Sequence, residues 1–550
     1  NGGLVATAPS SVTTAGTIAT SQDVLTIGAA LTLAEDTTLD TDSNNDNTGA
    51  AINLNSTVNS AANAASDLNI DNGNGTVTIG GIVGGATNGG LGAIVIDGGG
   101  ALDLNAAITS ATSLAQTGTT ALGADVTTTS TQTYTGAVTA DVAAKRTLTA
   151  SSVTFTAGFN GGAQDLDIVG NLVTGAAMTN TKDLDVSGTA SLGGNVSTIN
   201  SITVDGTLTL TADVTLDTTT TDEGAADDIT LAAIAGGGNS IVFDAGAAGA
   251  ITVSGGATNL ASLTITDSDG ATFAGAVTAT TSVVLTDTSD NSDIIFNGDL
   301  TTATLTTQAQ GYDIAINEDA TITNAKTFLN TGTLTLGNAT DDVLTFNGGL
   351  VATAPSSVTT AGTIQTSQDV LTLGAATILA ADTTLDTDSN DDDTGNAVNL
   401  NSTVNSAANA ASDLNIDNGS GTVTIGGIIG GTAANTALGA IVIDGGGALD
   451  INAAIQRAAS LAQTGTTALG ANVTTTGTQT YTGLVTADSG ATATLTGSTI
   501  TFTAGINGGA QDLNIAGNLV TGAAMTNILD LDVSGTASLG NSVTTADSIT

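Results

Sequence analysis

The chain has 550 residues with no cysteine, histidine or tryptophan and only two prolines; hydrophobic residues make up 40 % of it, aromatics 2 %. Its net charge of −46, from 51 acidic and five basic residues, repels nucleic acid and anionic lipid, and its composition excludes disulfides, thiolate metal sites and histidine proton transfer. The apolar residues are mostly Ala, Val, Ile and Leu, so the chain has the means to bury a core, though one of small side chains.

In chain order, the first segment with a chemical signature is Asp40-Thr-Asp42-Ser-Asn44-Asn-Asp46-Asn-Thr-Gly49. Oxygen ligands at alternate positions of a turning loop suit Ca2+, a hard cation that takes six to eight oxygens. The spacing is like the start of an EF-hand loop, but the glycine comes late and no closing Glu follows. The competing reading is a solvated acidic loop. Residues 59–67 are Ala-rich and read as a loop rather than a helical turn, and the Gly/Ala/Asn stretch 84–91 reads as a corner. Further corners are Asp97-Gly-Gly-Gly100, Asn160-Gly-Gly162 and Asp269-Gly270, where residues tolerant of positive φ cluster. Between corners the period is two: Leu208-Thr-Leu210, Val214-Thr-Leu216, Ile251-Thr-Val253 and Leu263-Thr-Ile265 each predict a short strand with one buried and one wet face. Helical periodicity is nearly absent, and no run of 18 apolar residues predicts a membrane span.

Residues 1–203 then return almost word for word as 347–550. The step is 346 through Gly84/Gly430 and 347 from Leu91/Leu438, because one residue is added in the intervening stretch. Propeller blades and sandwich domains would repeat at shorter intervals. A solenoid accommodates so long a step, since each coil touches only its neighbours and a block of coils duplicates freely. The expected fold is therefore all-β: a single-stranded parallel β-solenoid, an elongated rod with about 20 residues per coil at the strand spacing of ~4.8 Å. Residues 1–346 would form the first block and 347–550 a second, shortened copy of one continuous solenoid. Both chain ends fall inside the pattern, which reads as a window on a longer repetitive chain. Exchanges between copies at alternating positions are apolar for apolar, as in Ile27/Leu373, Ile52/Val398, Val83/Ile429, Leu104/Ile451, Val153/Ile500 and Phe159/Ile506. Changes of polarity, such as Ser110/Arg457, Ala50/Asn396 and Asn45/Asp391, are expected outside the core.

The second copy carries the acidic motif again, so the candidate calcium ligands are Asp40, Asp42, Asn44 and Asp46 with Asp386, Asp388, Asn390 and Asp392. Weaker acidic corners lie at Asp222–Asp228, Asp267–Asp269, Asp287–Asp293 and Asp341-Asp342. Paired carboxylates serve glycoside hydrolysis, but holding an acidic sugar also needs a base. Lys145 and Arg146 become Thr492 and Ala493, Lys182 becomes Leu529, and Arg457 stands where the first copy has Ser110. No retained base supports catalysis, and the expectation is not an enzyme. Tyr134, Tyr312 and Tyr481 read as coil packing or corner residues, and Met178 and Met525 as core.

Thr131-Gln-Thr-Tyr-Thr-Gly-Ala-Val-Thr139, Leu148-Thr-Ala-Ser-Ser-Val-Thr-Phe155 and Asn160-Gly-Gly-Ala-Gln-Asp-Leu-Asp-Ile168 resemble the repeats of large bacterial exoproteins of the filamentous-haemagglutinin-like and autotransporter-passenger families. The resemblance is one of scaffold repeats and carries over no functional residue. It implies a right-handed parallel β-helix, secretion, and a role at the cell surface. Together the readings point to an extracellular structural fibre such as a stalk, sheath or filament. An adhesin rod is the first alternative, and a calcium-dependent surface layer or polysaccharide-binding β-helix the second. The expected partners are further copies of the chain, associating end to end or laterally, and surface or matrix polysaccharide.

Overall fold

The computed structural model describes residues 2–219, 227–431, 433–488, 490 and 492–550. They pack as two units, Asn1–Ala271 and Thr272–Thr550. Each unit is a parallel β-solenoid, and the only helical element among the described residues is the 3-10 turn Ala434–Thr436. No helix is long and apolar enough to cross a membrane among those residues.

In the first unit each coil contributes up to three short strands, and strands of successive coils pair in parallel, in register, to build three faces. On the first face Leu4, Leu25, Ile52, Val77, Leu102, Thr120, Val138, Phe159 and Met178 stand one above another. Successive coils therefore take 21, 27, 25, 25, 18, 18, 21 and 19 residues. The second face stacks Val12, Leu31, Val58, Val83, Ile108, Val126, Leu148 and Ile168. The third stacks Ile18, Leu39, Ile70, Ile96, Gln116, Tyr134 and Phe155.

The reason is the period-two pattern. In Leu25–Ile27 the two aliphatics are buried while Thr26 is half-exposed, and the same alternation recurs in Ile52–Leu54 and Val77–Ile79. The aliphatic side of each face points inward, so the three faces meet in an apolar interior and each coil covers the next.

The second unit repeats this architecture. Its first face runs Lys326, Leu350, Leu371, Val398, Val423, Leu449, Thr467, Val485, Ile506 and Met525. From Leu350 onward the coil lengths are 21, 27, 25, 26, 18, 18, 21 and 19 residues. The two copies thus differ at one coil, where the extra residue of the 430–438 stretch is taken up by a corner (Thr432 lies outside the described residues). The passage from Phe346 to Asn347 is seamless: Val343–Phe346 pairs with Thr363–Thr366 and Lys326–Phe328 with Leu350–Ala352.

All six aliphatic or aromatic exchanges between copies lie in the core, and none of the three changes of polarity does. Tyr134, Tyr312, Tyr481, Met178 and Met525 are fully buried. Tyr134 stacks on Phe155 at 5.4 Å between ring centroids, and Tyr481 on Phe502 at 5.5 Å. Polar rungs interrupt the aliphatic rows. Gln132 donates to the carbonyls of Val126 and Thr149, each at 3.0 Å, and accepts from the Tyr134 hydroxyl at 3.2 Å. Gln479 and Tyr481 repeat the arrangement. Such buried amides are tolerated because backbone carbonyls satisfy their donors.

Candidate functional site: the acidic corners

The acidic motif follows the strand Ala30–Asp40, at the corner leaving the third face. Asp42 is 1 % exposed, and its carboxylate turns inward on its own loop. It accepts from the backbone N–H of Asp46 at 3.2 Å and of Asn47 at 2.8 Å. Asp40 accepts from the Asp42 N–H at 2.8 Å, and Thr41 Oγ1 clasps the far end by donating to the Ala50 carbonyl at 2.7 Å. At the exposed tip Asp46 accepts from Thr48 N–H at 3.0 Å, from Asn44 Nδ2 at 2.8 Å and from Gln22 Nε2 of the preceding corner at 3.1 Å. The hydroxyl of Thr48, with the other donors, holds the Asp46 carboxyl below the usual carboxylate range.

The second copy reproduces this. Asp388 accepts from Asp392 N–H at 3.3 Å and Asp393 N–H at 2.8 Å, and Asp386 from Asp388 N–H at 2.7 Å. Asn390 donates to Asp392 at 3.0 Å and Gln368 does so at 3.1 Å. Asn45 and Asn47, with φ of 53° and 62°, become Asp391 and Asp393 at 52° and 63°. These exchanges fall where the loop needs residues that tolerate the left-handed region. The late glycine also has a reason: a Cβ on Gly49 would run into the Asn72 carbonyl of the next coil, as one on Gly395 would into that of Asn418. Coil stacking is thus sufficient to require a glycine at this position.

The structure adds carboxylates that sequence spacing did not connect. Asp40 stands opposite Asp71, and Asp97 follows Ile96, the partner of Ile70, on the coil beyond. Asp386, Asp417 and Asp444 form the matching ladder. Burial, reinforced by the neighbouring carboxylate, pushes Asp97 above the usual range, with Asp71 the neighbour. Asp417 is raised in the same way, beside Asp444. Burial likewise raises Asp386, with Asp417 adding to it. These residues lie 26 to 31 positions apart, and only the coil lengths bring them together.

Among the described residues no group of three or more Asp or Glu side chains is gathered so as to hold a metal ion. Two of the weaker corners also spend a carboxylate on their own backbone. Asp342 is buried and accepts from Asn338 and Ala339 N–H at 2.7 and 2.9 Å, and Asp287 accepts from Thr288 N–H at 2.9 Å. Most of the corner at Asp222–Asp228 lies outside the described residues.

The bases are scattered. Lys145 pairs with Asp167 at 2.5 Å, and Lys182 with Asp165 at 3.2 Å and Asp183 at 3.5 Å. Arg146 is buried, 3.8 Å from Asp125. Lys326 lies in the core with Nζ donating to Thr307 Oγ1 at 2.9 Å and 4.5 Å from the Phe328 ring centroid, and burial pulls its pKa down to about 7. The sequence offered no sign of that burial beyond its place in Lys326-Thr-Phe328, an alternating strand.

No protein-family model, curated protein or solved structure matches the chain.

Proposed function

We propose that the chain is an extracellular structural fibre protein, a stalk, sheath or surface filament built from tandem β-solenoid blocks, whose copies associate end to end or laterally. What supports this reading is what the duplication keeps. The second copy preserves the coil lengths at all but one coil, the strand register and the acidic corners, while side chains exchange within the core and over the surface. Register is the property on which a stacked scaffold depends, since a slip of one residue turns every inward row outward. A repulsive acidic coat suits a scaffold that stays solvated at high local density. The test is immunogold electron microscopy of intact producing cells with antibodies to the 550-residue chain. Label along surface filaments is expected; label confined to the cell interior would reject the proposal.

A further inference from the structure

The two copies are so alike that a cluster of differences reports a local change of task. Thr109-Ser110-Ala111-Thr112 becomes Gln456-Arg457-Ala458-Ala459, and on the preceding coil the 84–91 stretch gains a residue and has Ala437 where the first copy has Gly90. Register joins these changes in space. Leu438, Ala458 and Thr475 form one column on three successive coils, as Leu91, Ala111 and Thr128 do in the first copy. The register shifts between Ile455 and Ala458, so the two intervening residues, Gln456 and Arg457, both lie outside the core.

Around this column lies a groove of about 530 Å³, lined by Ala437, Leu438, Gln456, Arg457, Ala459 and the threonines 474–476 among others, with no acidic residue among the described residues of its lining. That size is in the range of small-molecule sites. Arg457 is half-buried there, and among the described residues its side chain has no ion-pair or hydrogen-bond partner. The other four bases are each engaged: Lys145, Arg146 and Lys182 by carboxylates, Lys326 by Thr307 and Phe328. In a chain with 51 acidic residues, an arginine without a carboxylate partner among the described residues, in an alanine- and threonine-lined groove, is chemically suited to receive a carboxylate from outside the chain. Its planar fork of N–H donors matches a carboxylate bidentately.

We propose that this groove binds a compact organic carboxylate, the acid group on Arg457 and the body of the ligand against Ala437, Leu438 and Ala459, with threonine hydroxyls and the Gln456 amide at hand for its polar groups. The first copy, with serine at position 110, lacks the receptor, so one site per 550 residues is expected.

The test uses the whole chain and the two arginines in it. The Nε–Hε resonances of Arg146 and Arg457 are the only arginine signals, and the buried Arg146 serves as the internal control. Titration with acetate, benzoate and glucuronate, each against its neutral counterpart acetamide, benzamide or glucose and against chloride at equal ionic strength, reads the groove directly. A saturable shift of the Arg457 signal with at least one carboxylate is expected, absent with its neutral counterpart and with chloride. Arg457→Ser, which restores the first copy's residue, should weaken that carboxylate's binding about tenfold or more by calorimetry at an unchanged melting midpoint. Three results would each overturn the proposal: no carboxylate giving a saturable shift, chloride reproducing the shift, or Arg457→Ser binding as tightly as the parent chain.

Discussion

The carboxylates of the acidic corners work as caps. Asp42 and Asp388 are almost wholly buried, each receiving two N–H donors from the loop it starts. Asp42→Ala should cost about 2 kcal/mol, as expected for hydrogen bonds to a charged acceptor, and should speed amide exchange at Asp46 and Asn47. Because each of these oxygens already accepts an N–H of the loop, EDTA should leave the melting midpoint of the chain unchanged; a midpoint that drops with chelator would show that an ion holds the loop. Lys326 is the opposite case, a charge in an apolar interior with no carboxylate partner among the described residues. Its folded pKa is about 7 against an ordinary 10.5, so between those values the unfolded chain binds the extra proton. The cost of burying it is therefore fully present below pH 7 and is relieved as pH rises toward 10.5. Lys326→Met should stabilise the chain by about 1–4 kcal/mol at pH 6, and the gain should vanish by pH 10.5 in denaturant melts.

At the scale of strands and coils, the inward rows were legible because Leu-Thr-Leu alternation states burial directly: Leu208 and Leu210 are buried where the pattern put them. The corners were legible from their glycines and asparagines. What the sequence concealed is which coil positions meet, since coils vary between 18 and 27 residues and no constant period reveals the columns. For that reason the Asp40–Asp71–Asp97 ladder, the buried Gln132 rung and the convergence of Arg457 with the 430–438 corner emerged only from the register. The acidic ladder has a measurable consequence. The carboxyl of Asp417 is raised by burial and then by Asp444, so its penalty is present above its folded pKa and absent below the ordinary 3.8. Asp417→Asn keeps an acceptor for the Gly419 N–H and should raise stability at pH 7 by about 0.5 kcal/mol, with no gain at pH 3.

At the scale of the whole molecule the governing term is charge. A net −46 spread over a repetitive surface keeps chains apart at low salt, where the repulsion reaches ~30 Å at 0.01 M and contracts to ~3 Å at 1 M. Light scattering should therefore show the chain dispersed in 0.01 M salt at pH 7 and associating in 1 M salt or near its pI of about 4.1. Chains that remain dispersed under both conditions would speak against lateral assembly. The proposal that unites the scales is that the stacked parallel β-scaffold serves as a filament. Diffraction from aligned filaments isolated from the producing cells and shown to contain this chain tests it most directly. The account predicts a meridional reflection near ~4.8 Å, the strand spacing lying along the filament axis. Filaments whose ~4.8 Å spacing lies across the axis, or that lack it, would contradict it.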